Sequence, residues 1–223
     1  MLLEDEDLTL LDEKYQLIQK KKGFRFGTDA VILSNFFKGK KDGKILEIGI
    51  GNGIISILLS IKNKIDSIKG IDIQEEAIEL ARRNIKLNNL ENKISLLCGD
   101  VKELKEGNTY DYIITNPPYM ANDGKVKNEI DSKKISRHEI TLTLEELIQS
   151  SKKLLKPRGE LFLVHRAHRF LEIGAMLEAF DFSIKRVQFV HYDKNKNANL
   201  VLIEASKGRK NILEIEPPLI LNE

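Results

Sequence analysis

From residue 44 onward, short apolar runs alternate with amphipathic stretches, the pattern of strand–helix–strand units on a parallel sheet. Residues 44–48 read as a first strand, followed by a glycine turn and a helix near 54–61, and residues 67–72 read as a second strand. Between 74 and 88, Ala77, Ile78, Ala81, Ile85 and Leu87 recur at mostly helical spacing. Glu75, Glu76 and Glu79 come early there and Arg82, Arg83 and Lys86 late, as the helix dipole favours. Residues 94–98 and 110–115 supply two more strands, and both end in polar residues that should meet at one sheet edge. Residues 144–155 predict a helix stopped by Lys156-Pro157-Arg158-Gly159. A strand over 160–165, a helix over 167–180 and an antiparallel pair over 182–192 and 198–205 follow. Upstream of 44 the pattern gives a short strand-like region and a helix from about 29 to 37. The expectation is an α/β fold with seven strands, mostly parallel, the last pair antiparallel, and helices on both faces.

Residues 120–139 are lysine-rich with few apolar anchors, so they predict a substrate loop rather than a packed element. No repeat or linker divides the chain. One domain over 1–223 is expected, with 1–43 as an N-terminal extension leading into the ligand site.

Composition narrows the class. At 223 residues, 41% hydrophobic and 31% charged, the chain can bury a full core. No apolar run approaches the roughly 18 residues that a membrane helix needs. The first seven residues are acidic where a secretory signal would be basic and then apolar, which predicts a cytoplasmic protein. The single cysteine, Cys98, excludes an internal disulfide and is expected as a buried strand residue; with only four histidines at scattered positions, no metal site is expected. The net charge of +2 hides an asymmetry: residues 1–119 carry 18 Lys/Arg against 19 Asp/Glu, whereas 120–210 carry 18 against 12. The second half suits a polyanion or is simply a solvated lysine-rich face.

Two constellations carry chemistry. In the first, Glu47-Ile48-Gly49-Ile50-Gly51-Asn52-Gly53 runs a strand into a glycine turn, and Asp72 ends the next strand 19 residues after Gly53. Glycines admit a ligand close to backbone, and a carboxylate at that offset fits ribose hydroxyls. Glu47 would repel a pyrophosphate and suit a cationic ligand, which favours a sulfonium cofactor over a dinucleotide. Asp100 either accepts an adenine amine, with Ile73 packed on the ring, or caps a helical turn. Thr28 and Asp29, after Arg25, either flank the amino-acid end of that cofactor or form a helix N-cap.

The second constellation is Asn116-Pro117-Pro118-Tyr119 at the end of the fourth strand. An aromatic or amide nitrogen is a poor nucleophile because its lone pair is delocalised. The Asn116 side-chain oxygen and the Pro117 carbonyl can each accept one of its N–H groups, while Tyr119 stacks on the planar group and the prolines fix the turn. Lys133, Lys134, Arg137 and His138 in the following loop suit a phosphate backbone, with His138 either orienting RNA or capping the following helix. His165 and Arg166, ending a later strand, either bind phosphate or solvate the rim.

Taken in order, Gly49-Ile50-Gly51-Asn52-Gly53, Gly70-Ile71-Asp72-Ile73-Gln74, Gly99-Asp100 and Asn116-Pro117-Pro118-Tyr119 resemble the motifs of class I S-adenosylmethionine-dependent amino-methyltransferases. More narrowly, Gly23-Phe24-Arg25-Phe26-Gly27-Thr28-Asp29-Ala30, Ser136-Arg137-His138-Glu139-Ile140, Leu163-Val164-His165-Arg166 and residues 198–205 resemble the bacterial valine-tRNA adenine-37 N6-methyltransferase family, over about residues 15–219. The resemblance implies a Rossmann-like, seven-stranded class I sheet, S-adenosyl-L-methionine as cofactor, and an adenine of a tRNA anticodon loop as substrate. The Asn-Pro-Pro-Tyr motif alone also fits a DNA adenine, a ribosomal RNA guanine or a glutamine amide as acceptor. A non-catalytic cofactor-binding RNA partner stands as the other class of reading.

Overall fold

The computed structural model describes residues 2–11, 13–21, 27–117 and 142–222. The motif-bearing stretches that hold Arg25, Pro118, Tyr119, Lys133, Lys134, Arg137 and His138, and the whole expected substrate loop, lie outside the described residues.

A two-stranded antiparallel hairpin comes first, β1 (Glu6–Leu10) and β2 (Gln16–Lys20), and then helix α1 (Thr28–Phe36). The alternating region follows as β3 (Ile45–Ile48), α2 (Ile54–Lys62), β4 (Ile68–Asp72), α3 (Glu75–Leu87), β5 (Ile94–Cys98) and β6 (Tyr110–Thr115). After the substrate-loop region come α4 (Leu144–Leu154), β7 (Leu155–Arg166), α5 (Phe170–Ala179), β8 (Phe182–Asp193) and β9 (Ala198–Lys207). Two short strands, β10 (Glu214–Ile215) and β11 (Leu219–Asn222), complete the described chain. The main sheet runs β5-β4-β3-β6-β7-β9-β8, with β10 and β11 both laid along β8.

The sheet thus has nine strands rather than seven. The two additional ones are two and four residues long and flank Pro217-Pro218, too short for any alternation to register. Strand β9 is antiparallel to both β7 and β8, as the sequence predicts for the last long pair. The Lys156-Pro157-Arg158-Gly159 stop is displaced: α4 ends at Leu154, and β7 already begins at Leu155, passing the turn residues by a register shift at Tyr110/Tyr112, with Arg158 at φ +65°.

Successive β3 residues enter opposite cores, as a strand buried on both faces requires. Ile45 packs with α1 and α2 residues such as Leu33, Ile54 and Ile57, while Leu46 and Ile48 pack with Leu147, Ile148 and Ile173 of α4 and α5. Cys98 departs from expectation and is exposed: it ends β5, the outermost described strand of this edge. No described helix is long and apolar enough to cross a membrane.

The N-terminal hairpin is fastened to α3 by side chains. Glu6, 4% exposed, takes both guanidinium nitrogens of Arg83 at 2.7 Å. Asn84 and Asn88, one turn apart, offer their amides to the β2 backbone as an extra strand would. Asn84 Oδ1 accepts from Ile18 N–H at 2.7 Å and its Nδ2 donates to Ile18 C=O at 3.0 Å, and Asn88 does the same to Gln16 at 3.0 and 2.8 Å.

Candidate active site and cofactor cleft

The glycine turn between β3 and α2 is built on left-handed backbone. Gly49, Gly51 and Gly53 have φ of +74°, +55° and +87°, conformations that cost an L side chain. A Cβ on Gly49 or Gly51 would meet no atom within 4 Å, so the two face open space, whereas a Cβ on Gly70 would stand 2.0 Å from Ile50 Cδ1. Gly70 therefore lets Ile50 tuck beneath the turn. Gly49 and Ile50 N–H both donate to the Ile71 carbonyl, at 2.9 and 3.1 Å, tying the turn to the end of β4.

Asp72 is 8% exposed and aimed by backbone: Oδ2 accepts from Gly51 N–H and Oδ1 from Gln74 N–H, each at 3.0 Å. One further lone pair on each oxygen is left for a ligand's hydroxyls. Ile73, the next residue, is 45% exposed beside it. Asp100 behaves as a cap, its Oδ1 accepting from Lys102 N–H at 2.9 Å at the start of a 3₁₀ turn over Val101–Glu103.

Glu47 is the third residue of β3, two ahead of Gly49. It is 1% exposed, and its Oε2 accepts from Ser56 N–H at 3.0 Å and from the Ser56 hydroxyl. Among the described residues no Lys or Arg pairs with it. Burial pushes its carboxyl up to about 8, the Ser56 hydrogen bonds only partly opposing this, with the charge of Asp72 adding to the rise. Sequence reasoning treats Glu47 as a charged partner for a cation; in the structure it holds its proton near neutrality, because nothing cationic in the described protein meets it.

Asn52 was not singled out by sequence, and Ser56, Asn84 and Tyr192 were not either. Asn52 is 4% exposed; its Oδ1 accepts from Ile54 N–H at 3.3 Å, while its Nδ2 has no partner among the described residues. Its carbonyl accepts from Asn84 Nδ2 at 2.9 Å, so α3 and the hairpin brace the glycine turn. The available signal was Asn84 and Asn88 standing in the apolar stripe of α3 with Ala81 and Ile85.

Strand pairing brings the second constellation to the first. Thr115 of β6 pairs with Ile48 of β3, and its hydroxyl donates to the Ile48 carbonyl at 3.0 Å. Gly49 and Asn116 therefore leave adjacent strands side by side, Asn116 and Pro117 half-buried.

The remaining residues separate. Helix α1 starts at Thr28 with Gly27 as N-cap and no side-chain cap, so neither Thr28 nor Asp29 is the N-cap. Thr28, Asp29 and Arg166 line one cleft of about 330 Å³, distinct from the glycine turn. His165 lies on the other face of β7, 2% exposed, with Nδ1 accepting from Arg166 N–H at 2.8 Å. Burial, helped by Arg169, pulls its imidazole down to about 4, so it is neutral and does not solvate the rim.

Sheet order, glycine turn and strand-end acid together define the class I methyltransferase type of α/β fold. Solved structures of that type overlay the chain: a predicted O-methyltransferase from Agrobacterium tumefaciens, at TM-score 0.67 and 22% identity with 86% of each chain covered, and TYW2 of P. horikoshii in complex with MeSAdo, at 0.67 and 11%, covering 93% of this chain and 73% of that one. The methyltransferase small domain family matches residues 21–195. A tRNA1(Val) (adenine(37)-N6)-methyltransferase of Dyadobacter fermentans is 30% identical over 214 residues, 95% of this chain and 88% of the relative. The chain belongs to the methyltransferase small domain family, and it is an S-adenosylmethionine-dependent N-methyltransferase.

The residues present fit that cofactor. Open space over Gly49 and Gly51, an Asp72 carboxylate with further lone pairs to accept hydroxyls, and the buried Asn52 Nδ2, without a partner among the described residues, suit a ligand with ribose hydroxyls.

Proposed function

We propose that the chain methylates N6 of an adenine in the anticodon loop of a tRNA, adenine 37 of a valine tRNA, and that it works in the cytoplasm. The observation that carries the reading is the register of β3 on β6, which sets Asn116 beside the glycine turn. Relatives bearing that activity in their names cover most of the chain, and the basic residues 120–210 suit a polyanion.

In this reading Asp72 accepts the cofactor's ribose hydroxyls, Gly49, Gly51 and Gly53 admit its backbone contact, Ile73 packs on its adenine beside Asp100, and Thr28, Asp29 and Arg25 serve its amino-acid end. S-adenosylmethionine supplies a methyl made electrophilic by a positively charged sulfur. The Asn116 side-chain oxygen and Pro117 carbonyl each accept one N–H of the target amine, turning its lone pair toward that methyl, while Pro118 and Tyr119 hold the unstacked base. Lys133, Lys134, Arg137, His138 and Arg166 contact RNA phosphates. With the cofactor bound, the amine nitrogen would take the methyl, the sulfur would leave as a neutral thioether, and the methylated nitrogen would release one proton to water, since the Asn116 and Pro117 oxygens that position it are not basic.

The test is single-turnover transfer to unmodified tRNA with mass-spectrometric mapping of the product nucleoside. Asn116→Ala is expected to slow transfer by roughly 10²-fold or more while cofactor binding survives. Wild-type transfer by Asn116→Ala would make the tetrad a plain turn, and a methyl mapped to another position would replace the assigned nucleotide.

A further inference from the structure

We infer that the cleft at the carboxyl end of β7 is a second RNA subsite, which holds one unpaired nucleotide neighbouring the target base by stacking it on Tyr192. This rests on the tRNA reading above. The cleft lies where α1, which covers one face of the sheet, begins at Thr28. Register fixes what is exposed there. Arg166 pairs with Leu200, Leu200 with Val190 and Val190 with Leu219, so all four share the α1 face, and Tyr192 and Leu221, two residues on, share it too. Val190, Leu200 and Leu221 form an apolar floor, Tyr192 an aromatic wall, and Thr28, Asp29 and Arg166 a polar rim.

This composition matches a nucleotide. Tyr192 is 54% exposed and offers a π-face to a base. Lys196 Nζ stands 5.6 Å from the ring centroid, and Lys194 and Lys196 are exposed on the β8–β9 turn beside it. That turn is held in shape: the Lys196 carbonyl lies 2.7 Å from His191 Nδ1, and Asn195 N–H donates to Asp193 Oδ1 at 2.8 Å. Cations flanking an aromatic platform are how single strands are bound, the base by stacking and the phosphate by charge. Arg166 supplies a cation on the opposite rim. A volume of about 330 Å³ suits one nucleotide and excludes a duplex. Neither Asp72, the turn glycines nor Asn116 lines the cleft, so it is not the seat of the cofactor's ribose or of the target base; Thr28 and Asp29 are the two residues it shares with the cofactor's amino-acid end.

The experiment uses the full chain, unmodified tRNA, and anticodon stem-loops with a single abasic nucleotide at each position flanking the target. Tyr192→Ala is expected to weaken tRNA binding roughly 5- to 100-fold, the worth of one stacked base, with S-adenosylmethionine affinity unchanged; Tyr192→Phe keeps wild-type binding. One abasic position should weaken wild-type binding to a similar degree yet cost Tyr192→Ala nothing more, as two deletions of one contact must. Wild-type tRNA affinity in Tyr192→Ala, alongside normal transfer by the unmutated chain, overturns the subsite alone. A fall in cofactor rather than tRNA affinity reassigns the cleft to the cofactor and also overturns it. If the unmutated chain transfers methyl to no tRNA, the functional reading fails and the subsite with it.

Discussion

Glu204 and Glu47 are each 1% exposed on interior strands of the same sheet, yet their surroundings are opposite. Glu204 faces Arg186, itself 3% exposed, through Nε at 2.7 Å, and that guanidinium also donates to Glu216 at 2.9 Å and to the Phe36 carbonyl at 2.6 Å while lying 3.7 Å over the Phe36 ring. Glu6 repeats the solution with Arg83. Among the described residues Glu47 has only Ser56. A buried carboxyl is costly unless a cation or a proton neutralises it. The C-terminal edge and the N-terminal hairpin bring their cation from the chain and use the pair to lock segments together. The glycine-turn edge keeps its acid protonated instead.

The contrast breaks most severely at Arg186. Arg186→Met removes the internal cation but leaves Glu204 and Glu216 behind, and should destabilise the fold by about 3–5 kcal/mol, as loss of one partner of a buried pair does. Lys185, at 2.5 Å from Glu204 Oε1, holds the effect toward the lower end. Urea unfolding checks it, and changing Glu204 to Leu in the same chain should restore much of the loss. If the single variant unfolds like wild type, the cluster does not hold the C-terminal strands to α1.

At the other edge the effect should fall on the ligand instead. Asp72→Ala removes an acid already oriented by Gly51 and Gln74, so calorimetry should find S-adenosylmethionine binding weakened by roughly 2–4 kcal/mol, with thermal stability little changed. Unchanged affinity would remove Asp72 from the cofactor site.

A third substitution tests whether the two regions communicate. Asn84→Ala should cost about 1–3 kcal/mol of stability from its lost bonds to Ile18, and should also weaken cofactor binding, because Asn84 alone of the pair reaches the Asn52 carbonyl. Asn88→Ala should cost similar stability and leave cofactor affinity alone, since it bonds only Gln16 and Asn84. Equal cofactor affinities in the two variants would mean that the hairpin fastens α3 without bracing the turn.

These regions also differ in how far the sequence revealed them. The glycine turn, Asp72 and Asn116 were legible because each is constrained locally: left-handed φ demands glycine, and strand-end residues announce themselves where an apolar run stops. The order β5-β4-β3-β6-β7-β9-β8 likewise agrees with the alternating pattern. Long-range pairs leave no such mark. Arg186 meets Glu204 from 18 positions away and Arg83 meets Glu6 from 77, so both looked like ordinary surface charges on their own elements. Cys98 misled for a related reason, since an apolar run does not say which strand lies outermost. His165 and Arg166 are neighbours in sequence but sit on opposite faces of β7, so only one of them reaches the cleft.

The last and most gradual test is pH. Glu47 has a carboxyl raised from 4.5 to about 8, so between those values the folded chain binds a proton that the unfolded chain has released. Its contribution is full below pH 4.5 and is lost as pH rises toward 8, by up to about 1.4 kcal/mol per pH unit. Glu6 has the reverse sign: its carboxyl is lowered to about 2 by the Arg83 hydrogen bonds, so its contribution is full above 4.5 and is lost as pH falls toward 2. Unfolding free energies from pH 5 to 8 should therefore rise in Glu47→Gln relative to wild type as pH increases, while Glu6→Gln differs from wild type by a constant over that range. Taking variant minus wild type cancels His165, which both carry. A flat difference for Glu47→Gln would mean that this acid is charged in the folded protein, and then the two edges would not differ in the way their partners suggest.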